Sequence, residues 1–205
     1  MKQNNVILIG LTGGIATGKS TVSNIIIEKG YPLIDADKIA REIVQVNRPA
    51  YKEIVEVFGE KILNEDKTLD RKSLGNIIFS EKEAREKLNN ITHPYIFETI
   101  KSEIKRLSRE HNIIFLDIPL LFEQFDLIEN YNIEFTDIWL VYVEKAIQIN
   151  RLMKRDGISQ DEALRKVESQ MPIDVKRTRS SKTIINSGDI ELLNKQVDEL
   201  LLELI

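Results

Sequence analysis

Gly13-Gly14-Ile15-Ala16-Thr17-Gly18-Lys19-Ser20 is the stretch whose reading decides the fold. It fits G-x-x-x-x-G-K-[ST], a phosphate-binding loop, provided that a strand precedes it and a helix follows. Both flanks comply. Val6-Ile7-Leu8-Ile9-Gly10-Leu11 is a short apolar run rich in β-branched residues, the pattern of a buried strand. Thr21 to Lys29 carries Val22, Ile25, Ile26 and Ile27 and reads as a helix. In such a loop glycines allow left-handed backbone, and N–H groups turn inward around phosphate oxygens. The helix N-terminus adds its dipole and its unpaired N–H groups. Lys19 is expected on the β- and γ-phosphates, and the Ser20 hydroxyl on Mg²⁺.

The remaining composition narrows the class. At 205 residues, 42% hydrophobic and 30% charged, the chain suits one α/β domain with a lid or a small insertion. It has no cysteine, which excludes disulfides, a thiol nucleophile and cysteine-based zinc sites, and which agrees with a reducing cytoplasm. Met1 to Asn5 lead straight into the first strand with no leader pattern. No apolar run approaches the roughly 18 residues of a membrane span. A net charge of −4 argues against a nucleic-acid binder. Arg151 to Lys182 holds nine basic and five acidic residues, so a local +4 sits on a chain that is otherwise −8. A basic element of that size on an acidic protein suits a small anionic ligand.

Beyond the loop, Gly30 closes the first helix. A second strand, Tyr31-Pro32-Leu33-Ile34, delivers Asp35-Ala36-Asp37 at its carboxyl end, where open α/β sheets bind ligands. The reading is that one of these acids caps the following helix and the other does chemistry. Residues 38 to 110 read as helical, without a strand, and so as an insertion that forms an acceptor-binding wall. Within it Ser80 and Glu83 make a capping-box pattern, and Thr92-His93-Pro94 interrupts a long helix that Pro94 should kink. His93 donates either to a phosphate or ribose or to the kink itself. A third strand, Asn112 to Leu116, ends in Asp117-Ile118-Pro119-Leu120-Leu121-Phe122-Glu123. Asp117 stands where a phosphate-loop protein keeps its second Mg²⁺-associated carboxylate. Leu120, Leu121 and Phe122 either pack on the core or line a pocket. A fourth strand, Ile138 to Val143, puts Trp139 in the core. In the helix after it Arg151 and Arg155 share a face, either as charge stabilisers for phosphoryl transfer or as solvated surface. Ser159 with Glu162 caps a short basic helix, and Gln170-Met171-Pro172 breaks it. The two short charged helices read as a mobile lid. A fifth strand and turn, Thr183 to Gly188, and an amphipathic closing helix complete the chain. Strands alternating with helices mean a three-layer α/β fold: five parallel strands with helices on both faces.

Taken together these stretches resemble the dephospho-CoA kinase family, within the nucleoside-monophosphate-kinase-like group of phosphate-loop kinases. The matching residues are Leu11 to Thr21, Asp35-Ala36-Asp37, Leu69-Asp70-Arg71, Thr92-His93-Pro94, Asp117 to Glu123, Arg151 with Arg155-Asp156, Gln170, and Asn186-Ser187-Gly188. The resemblance implies transfer of the γ-phosphoryl group of ATP to the ribose 3′-hydroxyl of 3′-dephospho-CoA. It implies Asp37 as the base, with Lys19, Arg151 and Arg155 beside the phosphates. It puts ATP on Gly13, Gly14, Ile15, Ala16, Thr17, Gly18, Lys19, Ser20 and Thr21, with Asn186 and Gly188 flanking adenine. It puts the acceptor against Asp37, His93, Asp117, Pro119, Leu120, Leu121, Phe122 and Glu123, and Mg²⁺ against Ser20 and Asp117. It also implies a core of about 1–37, 111–150 and 182–205, an acceptor-binding part of about 38–110, a lid of about 151–181, and a cytoplasmic monomer or weak homo-oligomer. Ser181-Lys182 and Ile185 depart from the family pattern on the adenine side. The competing readings are another small-acceptor kinase, for a nucleotide, nucleoside or shikimate-type substrate, and a non-catalytic nucleotide switch. The switch calls for a D-x-x-G that the sequence lacks.

Overall fold

The computed structural model describes residues 6–204; the leaderless start expected at Met1 to Asn5 lies outside the described residues. Five strands form one parallel sheet: β1 (Ile7–Gly13), β2 (Leu33–Asp35), β3 (Ile113–Asp117), β4 (Asp137–Tyr142) and β5 (Lys182–Ile185). Their spatial order is β2-β3-β1-β4-β5, so β1 lies at the centre, between β3 and β4. Leu8 to Gly13 are all buried, as a strand covered on both faces requires.

Alternation along β1 and β4 divides the two faces. Ile9, Leu11, Trp139 and Val141 point to one side. There they meet Val22, Ile25 and Ile26 of helix α1 (Lys19–Glu28) and Leu193, Val197 and Leu201 of helix α10 (Ile190–Leu202). Phe115 packs edge-on against Trp139 within this cluster, with ring centroids 5.1 Å apart. Leu140 and Tyr142 point to the other side and meet Ile173 of helix α9 (Ile173–Arg179). Helix α6 (Phe125–Asn130) precedes β4, and α7 (Lys145–Asp156) and α8 (Gln160–Glu168) follow it. Leu152, Ala163 and Val167 form a smaller cluster between α7 and α8. The Ser159–Glu162 capping box is present, with both reciprocal hydrogen bonds.

The chain divides into two compact units, one running up to Asp35 and resuming at Ile104, the other Ala36–Glu103. The second unit has its own core, Ile54, Phe58, Ile62, Leu74 and Ala84. These come from α3 (Pro49–Phe58), a 3₁₀ turn, α4 (Arg71–Ser80) and the start of α5 (Lys82–Leu107), with the short α2 (Ala36–Glu42) leading in. Two local expectations fail here. Ser80 is the last residue of α4 and bonds back to the Asn76 and Ile77 carbonyls, so the Ser80–Glu83 box does not form. Helix α5 runs unbroken through Pro94. The helical bond that proline cannot donate is lost, but Phe97 and Ile100, buried one to two turns on, hold the segment.

Candidate active site

β1 delivers the phosphate loop at the carboxyl edge of the sheet. The turn is closed by Thr17, whose N–H and hydroxyl both donate to the Gly14 carbonyl, at 3.2 and 2.9 Å. Gly18 then precedes α1 in the left-handed region (φ 85°) with no side-chain cap. The N–H groups of the first helical turn are therefore not claimed by a capping side chain and can take an anion. Gly14 is needed for a different reason: a Cβ there would lie 2.5 Å from Gln148 Nε2. Ala16 takes the left-handed conformation without being glycine (φ 60°).

Four side chains from distant elements hold the outer rim of this loop. The Ile15 N–H donates to Gln170 Oε1 (2.8 Å), and Gln148 Nε2 donates to the Ile15 carbonyl (2.8 Å). The Thr17 carbonyl accepts from Asn186 Nδ2 (2.8 Å) and Arg151 Nη1 (3.4 Å). Arg151 Nη2 also donates to the Asn186 carbonyl (2.7 Å), joining the loop to the turn after β5. Arg155, four residues on, instead faces solvent and pairs with Asp156 (2.7 Å). The two arginines are thus separated, one on the loop and one on the surface.

Beside the loop, register sets Asp35 of β2 opposite Asp117 of β3, and Asp117 opposite Leu11 of β1. Lys19 makes an ion pair with Asp117 Oδ1, and the Ser23 hydroxyl donates to Oδ2 at 2.8 Å. Burial pushes the Asp117 carboxyl up; Lys19 and Ser23 oppose that shift, and the neighbouring Asp35 adds to it. Asp37 lies two residues past Asp35, in the first turn of α2. Among the described residues no group of three or more His, Cys, Asp or Glu could cage a metal. A Mg²⁺ ion here would instead rest on the exposed Ser20 hydroxyl and phosphate oxygens, which suits that cation. Both Asp117 oxygens have protein partners here, Lys19 on Oδ1 and Ser23 on Oδ2.

The segment after Asp117 is tied back to β1 by Ile118 N–H to the Leu11 carbonyl (3.0 Å) and by the Thr12 hydroxyl to the Pro119 carbonyl (3.2 Å). Leu121 and Phe122 are buried, while Pro119 and Leu120 are half-buried. Glu123 turns to the segment from Met171 to Lys176. It accepts from the Met171 N–H (3.0 Å) and pairs with Lys176 Nζ (2.8 Å). Lys176 is completely buried, and its ammonium makes no aligned hydrogen bond, only this ion pair. Arg179 lies over the Phe122 ring and Arg177 over the Tyr142 ring. Gly188 is packed close under Leu192. His93 lies in the other unit, edge-on to Phe97 at 6.2 Å, and burial holds its pKa below the ordinary value.

Sequence reasoning missed Gln148 and Lys176. The available signal for Gln148 was its place on the buried stripe of α7, four residues before Leu152 and three before Arg151. Lys176 had no such signal, because it sits among charged residues that read as a solvated face.

The sequence pattern of dephospho-CoA kinase matches residues 7–191. The chain belongs to the dephospho-CoA kinase family. It is 46% identical over 193 residues to the dephospho-CoA kinase of Carboxydothermus hydrogenoformans, covering 93% of this chain and 90% of that one. Against the enzyme of Shouchella clausii it is 43% identical, covering 92% and 94%. The structure of dephospho-CoA kinase from Campylobacter jejuni superposes with a TM-score of 0.70 at 31% identity, over 96% of both chains. A shikimate kinase from Acinetobacter baumannii, at 14% identity and a TM-score of 0.53, shares the fold alone.

Proposed function

We propose that Asp37 is the proton acceptor of the reaction, and that ATP is held as its Mg²⁺ complex by the loop amides, Lys19 and Ser20. The reaction is that of the family: phosphorylation of dephospho-CoA to coenzyme A, the last step of coenzyme A biosynthesis. Its acceptor atom is the ribose 3′-hydroxyl. The supporting observation is the phosphate loop itself, which lies edge to edge with the acid-bearing ends of β2 and β3.

Transfer through a metaphosphate-like transition state asks for alignment and charge neutralisation rather than covalent chemistry. Lys19 meets the β- and γ-phosphates, which requires it to exchange its Asp117 partner for phosphate oxygens. Ser20 would hold Mg²⁺, which would supply further positive charge to the transfer. Asp37 takes the hydroxyl proton as the phosphoryl group transfers. The basic lid excludes water, which suppresses hydrolysis of ATP. Use of ATP supports a cytoplasmic location. ADP release measured with dephospho-CoA, AMP, CMP and shikimate tests the assignment: only dephospho-CoA should drive it. Equal turnover with any of the others overturns the acceptor.

A further inference from the structure

The Ile15 backbone is held at its N–H and at its carbonyl by side chains far away in sequence. Gln170 lies at the joint between α8 and α9, 155 residues on, and Gln148 on α7, 133 residues on. Their chemistry is fixed by what they hold. A backbone N–H can only donate, so Gln170 must offer its oxygen. A backbone carbonyl can only accept, so Gln148 must offer its nitrogen. The two amides cannot be exchanged or turned over without losing a bond.

Gln148 is 2% exposed, so its amide has no ready substitute partner in water. The absence of a side chain at Gly14 lets it approach. Both glutamines also line a cavity of about 200 Å³ together with Val167, Pro172 and Ile173. The joint of the lid helices is therefore loosely filled just behind the loop, and Gln170 is its polar link to the loop.

We infer that Gln148 and Gln170 are positioning residues that bracket the Ile15 backbone, one at each of its two peptides, and so make the shape of the phosphate loop depend on the seating of the lid joint. Neither residue touches the transferred group. Gln148 holds the peptide preceding Ala16, by its carbonyl, and Gln170 holds the peptide before that, by its N–H; Ala16 itself is left-handed. If the lid joint moves, the Ile15 N–H loses its acceptor and the loop relaxes. If the loop closes on phosphates, the joint is held in place. The inference rests on the proposed function only in taking the loop to be the ATP site.

Replacing each glutamine by glutamate gives the decisive test. Both variants add one negative charge beside Ile15, at its N–H in Gln170→Glu and at its carbonyl in Gln148→Glu. Gln170→Glu keeps an oxygen for the Ile15 N–H. Gln148→Glu removes the donor and sets a carboxylate against the Ile15 carbonyl. In nucleotide-free protein, exchange of the Ile15 amide is expected to stay near wild type in Gln170→Glu and to speed up about 10-fold or more in Gln170→Leu, the range of one lost buried hydrogen bond. In kinetics, KM for ATP is expected to rise about 10-fold more in Gln148→Glu than in Gln170→Glu, with KM for dephospho-CoA unchanged. Equal behaviour of the two glutamate variants, or an equal rise in both KM values, would overturn the inference. The exchange measurement needs no nucleotide. A normal exchange result with no ATP dependence would therefore fault the ATP assignment and leave the clamp standing.

Discussion

Asp37, proposed above as the proton acceptor, has a position that the chain fixes simply: two residues beyond the last paired residue of β2. Asp37→Asn should lower kcat by roughly 100-fold or more while ATP still binds, the range for loss of a general base. Nucleotide titration alongside steady-state rates separates the two. Glu123 and Lys176 make a second residue-level case. Lys176 is fully buried and has Glu123 as its ion-pair partner, whereas Glu123 is partly open and also holds the Met171 N–H. Removing the acid strands a buried ammonium; removing the ammonium leaves the acid a partner and some water. Glu123→Ala should therefore cost about 3 kcal/mol and Lys176→Met about 1 kcal/mol or less. Denaturant unfolding of both variants checks the order. The resemblance implies Glu123 as an acceptor-facing residue; in the structure its Oε1 meets the Met171 N–H and Lys176.

Among the elements, those with strong periodicity or punctuation were legible from sequence. The five strands fall within a residue or two of expectation, Gly30 sits past the end of α1 in left-handed backbone, and Ser159 caps α8 with Glu162. What escaped was decided by tertiary partners. Ser80 fits a cap by pattern, but α4 extends to absorb it. Arg151 and Arg155 are four apart on α7, but two long side chains that start on one face reach different surroundings. Gln148 is polar, and only the loop it meets explains its burial. Helix α5 yields a pH test. His93 is held below its ordinary pKa of 6.5 by burial, so the fold favours its neutral form. As pH falls from about 6.5 the unfolded chain binds a proton more readily than the folded one, and stability falls with it. His93→Gln should flatten that part of the stability profile between pH 7 and 5, measured by thermal unfolding at successive pH values.

For the molecule as a whole, two hydrophobic cores stand in place of one. Ile54 is fully buried in the core of Ala36–Glu103, while Trp139 and Phe115 anchor the sheet core. Ile54→Ala should cost about 3 kcal/mol, a usual sum for a large buried truncation. Hydrogen exchange should then speed up through residues 36–103 while the amides of β1, β3 and β4 hold; uniform acceleration would mean that the two cores melt as one. The phosphate loop has a wider dependence. Its motif is complete at Ser20, yet its rim is closed by Asn186, 169 residues after Thr17. A chain emerging from the ribosome at about 5–20 residues per second carries the written motif for many seconds before it owns the side chain that finishes it. The outer rim of the loop is therefore among the last parts of this protein that translation completes.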